Sequence, residues 1–388
     1  MKNLTKVATI ISFFVCGCYA TTDKKDKKKT AQDSASHYPV TPKLPPEEFR
    51  HYFREVESFY ENTLAASHFN GGFLVAKKGE IIFEKYAGTA HMRAKDSITA
   101  NTPFHLASVS KTFTGMAILK LWEEGKLKIS DDVSTYLTGF NYPGVTVKTL
   151  LNHRSGLPNY VHVMELNGWD KKKIVSNQDV LEFLIANKNK LHPASPDRHF
   201  SYCNTNYALL ALIIEKVSGL PYGQYLQQTF FTPLQMTNSF VAITDSASKL
   251  YPSYNWRNRE EPYTFLDAVY GDKNIYSTPR DLLKWDMALT YGNIFKPVTL
   301  DSAYSGYSFE KKGIKNYGLG WRMYLYPDQK KIIYHNGWWH GNNTVFVRLI
   351  QDSATVIILG NKYNRRIYDA KKLYPAFGKY EGDAGDDE

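Results

Sequence analysis

Apolar residues recur along this chain with two periods, and the switches between them outline its architecture. From Pro46 to Ser67 they fall at helical spacing, at Phe49, Phe53, Val56, Phe59, Tyr60 and Leu64. Two short β-type runs follow, Gly72 to Ala76 and Ile81 to Tyr86, joined by Lys77-Lys78-Gly79-Glu80, and together predict a β-hairpin. Met116, Leu119 and Trp122 then follow Lys111 with helical spacing, Ile118 and Leu121 widen the apolar face, and Gly125 supplies a stop. A helix is expected from about Ser108 to Glu124. Further helices are expected over Asn177 to Ala186, Asn204 to Ser218, Tyr222 to Thr229 and Thr278 to Thr290.

Beyond Tyr317 the period changes back. Gly318 to Tyr326, Lys331 to Asn336, Thr344 to Ile350 and Thr355 to Leu359 read as antiparallel strands in a meander, closed by a helix near Arg365 to Phe377. Strands at both ends and helices between them predict an α/β fold of the α+β type. One antiparallel sheet would be built from both chain ends (47–107 and 291–380) and flanked by helices, with a mostly helical region (108–290) inserted. A site is expected in the cleft between the two regions.

A chain of 388 residues with 43% hydrophobic content can bury a large core. Its formal charge of +10 invites a nucleic-acid reading. Part of that excess, however, is local to Asp23-Lys-Lys-Asp-Lys-Lys-Lys29, and no basic-aromatic motif occurs elsewhere, so nucleic acid is not expected as a partner. The start, Met1-Lys2 to Lys6 followed by apolar Val7 to Val15, has the charged head and short greasy core of an export signal. It ends Val15-Cys16-Gly17-Cys18, which resembles the bacterial lipoprotein processing site.

That resemblance implies a signal peptide over 1–17, a lipidated Cys18 as mature N-terminus and anchorage on the outer side of a bacterial membrane. Residues 18–46, Lys-rich and then punctuated by Pro39, Pro42, Pro45 and Pro46, read as a flexible tether to a catalytic domain over 47–380, with an acidic tail over 381–388. The folded part retains only Cys203, so packing rather than a disulfide must hold it.

The candidate chemistry begins at Ser108. In the first turn of its helix, unpaired backbone N–H groups favour developing negative charge, and Lys111 shares its face one turn on. A serine needs such a neighbour to take its proton or steady its anion. The Ser-x-x-Lys pairing alone is weak, because Ser246/Lys249 and Ser308/Lys311 repeat it, but only Ser108 precedes a long apolar helix. Tyr202-Cys203-Asn204 offers a phenol and an amide two residues apart at a helix start. His335-Asn336-Gly337 ends a strand, where a glycine allows close backbone approach and the Trp338 N–H can point into a cleft.

In this order, Ser108-Val-Ser-Lys111, Tyr202-Cys-Asn204 and His335-Asn-Gly337 resemble the three motifs of the class C β-lactamase and D-alanyl-D-alanine peptidase superfamily, which also holds esterases and D-amino-acid peptidases. Supporting stretches are Leu150-Leu-Asn-His-Arg-Ser-Gly-Leu157, Phe231-Thr-Pro-Leu-Gln-Met236 and Gly271-Asp-Lys-Asn-Ile-Tyr-Ser-Thr-Pro-Arg-Asp-Leu282. The resemblance implies that Ser108 is the acylated nucleophile and that Lys111 and Tyr202 share proton transfer. Asn204 would bond Lys111 and the substrate amide, the N–H groups of Ser108 and Trp338 would form the oxyanion hole, and neither metal nor organic cofactor would take part.

Where lactamases usually have Lys-Thr-Gly, this chain has His335 and Asn336, as do peptidases and esterases of the superfamily. Trp338 and Trp339 either line the cleft or pack within the strand. Cys203 stands where serine is common. The substrate is expected to be a β-lactam, a D-amino-acid peptide or a small ester, and oligomeric state is left open. The alternative is a penicillin-binding or sensor lipoprotein that is acylated without turnover.

Overall fold

The computed structural model describes residues 43–292 and 294–381. The predicted signal peptide, Cys18 and nearly all of the tether and acidic tail lie outside them.

Helix α1 (Pro46–Phe59) opens the fold, with proline in its first turn and Glu47 and Glu48 at its positive end. Strands β1 (Gly71–Lys77) and β2 (Glu80–Ala87) form the hairpin. Its two-residue turn places Lys78 and Gly79 at φ 53° and 78°, the left-handed geometry that matches strand twist. The late strands are β3 (Lys315–Tyr317), β4 (Arg322–Leu325), β5 (Lys331–Trp339), β6 (Asn342–Leu349) and β7 (Ala354–Gly360). They complete a seven-stranded antiparallel sheet in the order β2-β1-β7-β6-β5-β4-β3. The two chain ends meet where β1 pairs β7, from Gly71↔Gly360 to Lys77↔Ala354.

Alternation along these strands sorts their side chains into two cores. Phe73, Val75, Val356 and Ile358 face α1 and the C-terminal segment. Leu74, Ala76, Ile357 and Leu359 face the helical region. With both faces covered, every residue of β1, β6 and β7 is buried.

The centre of the helical region is α2 (Ser110–Glu123), preceded by a 3₁₀ turn over Ala107–Val109. Residues 110–119 and 121 are all buried, so the predicted apolar face closes into a full circle. Helix α3 (Asn204–Ser218) packs along it, α4 (Pro279–Tyr291) meets it through the stacked rings of Phe113 and Trp285, and α4 also packs on β1 and β7. Three sequence-based expectations need adjustment, the first being that the strand expected over Gly318 to Tyr326 spans only Arg322–Leu325, with the short β3 before it. The C-terminal helix is a 3₁₀ segment (Arg365–Leu373) with one short α turn (Tyr374–Phe377). Strand β5 runs three residues past Asn336, because β6 continues to pair with it as far as Trp339↔Asn342.

Candidate active site

Ser108 sits where a strand is forced into a helix. Phe104–His105 pairs with Ile275–Ser277, the Leu106 N–H donates to the Ile275 carbonyl at 2.8 Å, and the chain then turns sharply through Ala107 at φ 47°. That left-handed angle is strained for alanine and needs support from its surroundings. His105 supplies some: its Nδ1 accepts the Ala107 N–H at 3.0 Å, and its Nε2 donates to Asn274 Oδ1 at 2.9 Å.

From this turn the half-buried Ser108 hydroxyl lies 3.1 Å from Lys111 Nζ. Lys111 is fully buried and also donates to the Asp272 carbonyl at 2.8 Å. Its ammonium lies 5.0 Å from the ring centre of Tyr202 and 5.7 Å from that of Tyr207. The rival pairs are built otherwise. Ser308 and Lys311 occupy a loop, where Arg154 donates to Ser308 Oγ at 3.3 Å, and Lys249 pairs with Asp245 at 2.7 Å.

Tyr202 reaches the same place from the approach to α3. Its ring packs 4.4 Å from His153, and the Arg322 guanidinium lies 5.0 Å from its centre. His153 Nδ1 accepts the Cys203 N–H at 3.1 Å, so one imidazole positions both the ring and the backbone of the second motif. The Cys203 thiol is buried, points at the Leu157 carbonyl at 3.3 Å, and is pushed up by burial, which makes it inert. Asn204 opens α3 but, among the described residues, makes no hydrogen bond to Lys111. The amine's second bond goes to the Asp272 carbonyl instead.

The third motif lies within β5, not at its end. Lys331–Tyr334 pairs with β4, whereas residues 335–339 have, among the described residues, β6 on one side only, which leaves a free strand edge beginning at His335. Gly337 brings that strand onto the nucleophile turn. A Cβ there would lie 2.6 Å from the Leu106 carbonyl, 3.0 Å from Ala107 Cβ and 2.3 Å from Thr344 Oγ1. Thr344 itself donates to the Leu106 carbonyl at 2.7 Å and fastens β6 to the same turn.

The His335 ring centre is 6.1 Å from that of Tyr202. Its Nδ1 donates to the Asn336 carbonyl at 2.7 Å, and its Nε2 accepts from Tyr317 at 3.2 Å. Burial, with the charges of Arg322 and Lys111 behind it, holds His335 well below its ordinary range, so it is neutral. Trp338 and Trp339 divide by strand alternation. Trp338 is 63% exposed, beside Tyr363 on the face opposite Gly337, whereas Trp339 points inward and donates to Asp267 at 2.7 Å.

The structure therefore brings Ser108, Lys111, Tyr202, His335 and Gly337 to one place. His105, His153, Asp272 and Lys273 also shape it, and residue chemistry alone had not singled them out. The last three stood in stretches already noted, and His105 has no sequence signal beyond its place three residues before Ser108.

A family model for Beta-lactamase matches residues 56–373. The chain is 33% identical over 340 residues to penicillin-binding protein 4* of Bacillus subtilis (strain 168), covering 83% of this chain and 75% of that one. Among solved structures it is similar to a penicillin binding protein from Bacillus halodurans, with a TM-score of 0.71 at 23% identity over 83% of this chain and 98% of the other. It is also similar to a D-amino acid amidase from Ochrobactrum anthropi SV3, with a TM-score of 0.67 at 20% identity over 85% and 98%.

Proposed function

This chain belongs to the Beta-lactamase family, and from that premise we propose how its residues perform the chemistry of a serine hydrolase working through an acyl-enzyme. Ser108 attacks the carbonyl carbon of an amide or ester. Lys111 and Tyr202 relay the hydroxyl proton to the leaving group. The N–H groups of Ser108 and Trp338 receive the developing oxyanion, and Asn204 holds the substrate amide. Water then releases the acyl group.

The observation that carries this reading is the 3.1 Å contact of a fully buried amine with a half-exposed serine hydroxyl, under a free strand edge that a glycine lets close on them. Neutral His335 brings no cation to the place where lactamases hold a substrate carboxylate. Esters and D-amino-acid amides, which carry no such carboxylate, are therefore favoured over β-lactams and over peptides with a free C-terminus as substrates. The protein is exported and held to a membrane by lipid on Cys18, with residues 47–380 as the catalytic body. No helix among the described residues is long and apolar enough to cross a membrane.

A fluorophosphonate probe tests the nucleophile. It should label the peptide containing Ser108, and Ser108→Ala should abolish both labelling and the release of p-nitrophenol from short-chain esters. Labelling that survives the substitution contradicts the assignment. A stable adduct without product on esters, D-alanyl peptides and nitrocefin would instead identify a sensor.

A further inference from the structure

Behind Lys111 lies a second ionisable group that the mechanism does not use. Asp272, whose main-chain carbonyl is an acceptor for Lys111 at 2.8 Å, turns its side chain into the protein interior. There Oδ2 accepts from Tyr160 Oη at 2.9 Å and lies 3.5 Å from Lys273 Nζ. Lys273 also donates to Tyr160 Oη at 2.5 Å, and its ammonium sits 4.6 Å from the ring centre of Trp339. Asp272 and Lys273 are each only 2% exposed, and Asp272 Oδ1 is buried with no hydrogen-bond partner among the described residues.

Stability is a poor reason for this pair. Taking both charges out of water costs more than their attraction usually returns, and apolar residues of similar volume are often as stable. Their placement suggests another reason. The groups that face Lys111 are Ser108 from its own helical turn, Asp272 from the stretch before α4, and Tyr202 and Tyr207 from α3 and its approach. His153, His335 and Arg322 lie further out from the neighbouring loop and strands, and Asp267 with His340 lies beyond Trp339. Among these, Asp272 is the buried anion that touches Lys111 through its own backbone, and Lys273 is the cation set against it. Burial depresses Lys273, and the charge on Lys111 adds to that while Asp272 and Asp267 oppose it.

We propose that Asp272 and Lys273 are positioning residues whose buried ion pair sets the pH at which Lys111 and Tyr202 can take the Ser108 proton. The pair acts in opposite senses. An anion beside the relay favours its protonated form, and a cation favours its deprotonated form. The direction is the same whichever of Lys111 and Tyr202 gives up the proton, because both are deprotonated more easily near positive charge. This rests on the reading of Ser108 and Lys111 given above.

The test is the pH dependence of fluorophosphonate labelling in the full chain. Asp272→Asn, an isostere that keeps the backbone carbonyl, should move the acid limb of the labelling rate to lower pH by roughly one unit. Lys273→Met should move it to higher pH, and the double variant should return it near wild type. A merely structural role would lower the rate at all pH values and leave the limb in place. Any of the folded single variants with an unmoved limb, or a double variant with no return, overturns the proposal. Ser108→Ala in each background separates the two readings: labelling that persists sinks the site itself, whereas Ser108-dependent labelling with a fixed limb sinks only the ion pair.

Discussion

His105 accepts the Ala107 N–H at one ring nitrogen and donates to Asn274 from the other, so both nitrogens are committed only while the ring is neutral. Burial enforces that state by lowering the group to about 4. The strained Ala107 that precedes Ser108 is held in this way by a buried side chain. His105→Ala should leave a buried N–H and a buried amide oxygen unpaired, at about 1–3 kcal/mol of stability. It should also slow acylation, because the turn that aims Ser108 loosens. Urea unfolding and the rate of fluorophosphonate labelling measure the two effects, and a wild-type rate in a destabilised variant would show that the turn holds its shape without the ring.

At the scale of elements, the site is the meeting of a turn and a strand edge. The Ser108 turn comes from one end of the sheet-forming sequence and β5 from the other, and at Gly337 the strand lies so close to the turn that a Cβ would meet the Leu106 carbonyl. With any side chain at that position the Thr344 side chain on β6 must turn aside, the strand must retreat from Leu106 and Ala107, and the Trp338 N–H moves with it. Loss of one oxyanion donor costs on the order of a hundred- to a thousandfold in rate. Gly337→Ala is therefore expected to fold, since β5 keeps its pairing with β6, but to acylate at least about a hundredfold more slowly. Stopped-flow acylation by a p-nitrophenyl ester checks this, and an unaltered rate would place the oxyanion elsewhere.

For the whole molecule, the consequence lies in its response to acid. His105, His153 and His335 are all buried, neutral, and held below the ordinary value of 6.5, chiefly by desolvation. In the unfolded chain each binds a proton as pH falls through about 6.5, and in the folded protein none does until much lower. The stability they contribute is complete above that pH and is lost progressively below it. For His105, between about 6.5 and 4, the loss is on the order of 3 kcal/mol. Thermal unfolding should show a melting temperature level above pH 7 and falling steeply from pH 6 to 4.5. A flat profile over that range would mean that these rings are protonated in the native state.

The architecture was legible in the chain because it is periodic. The hairpin, the helix behind Ser108, the helix over Asn204–Ser218 and the late meander all follow from where apolar residues recur. The three motifs were legible because their residue types are chemically demanding and appear in a set order. What could not be read was anything decided by partners distant in sequence. The length of β5 depends on continued pairing with β6, and the second bond of Lys111 goes to a carbonyl rather than to Asn204. Whether Trp338 or Trp339 faces inward depends on strand parity that the shorter predicted strand did not reach.

The histidines around Tyr202 and Ala107 look like any others until packing removes them from water. Local sequence thus determined which segments become helix or strand and which residues were candidates for the chemistry. Tertiary structure alone decided which of them touch and which are stripped of solvent, because burial and contact between remote segments are properties of the folded chain.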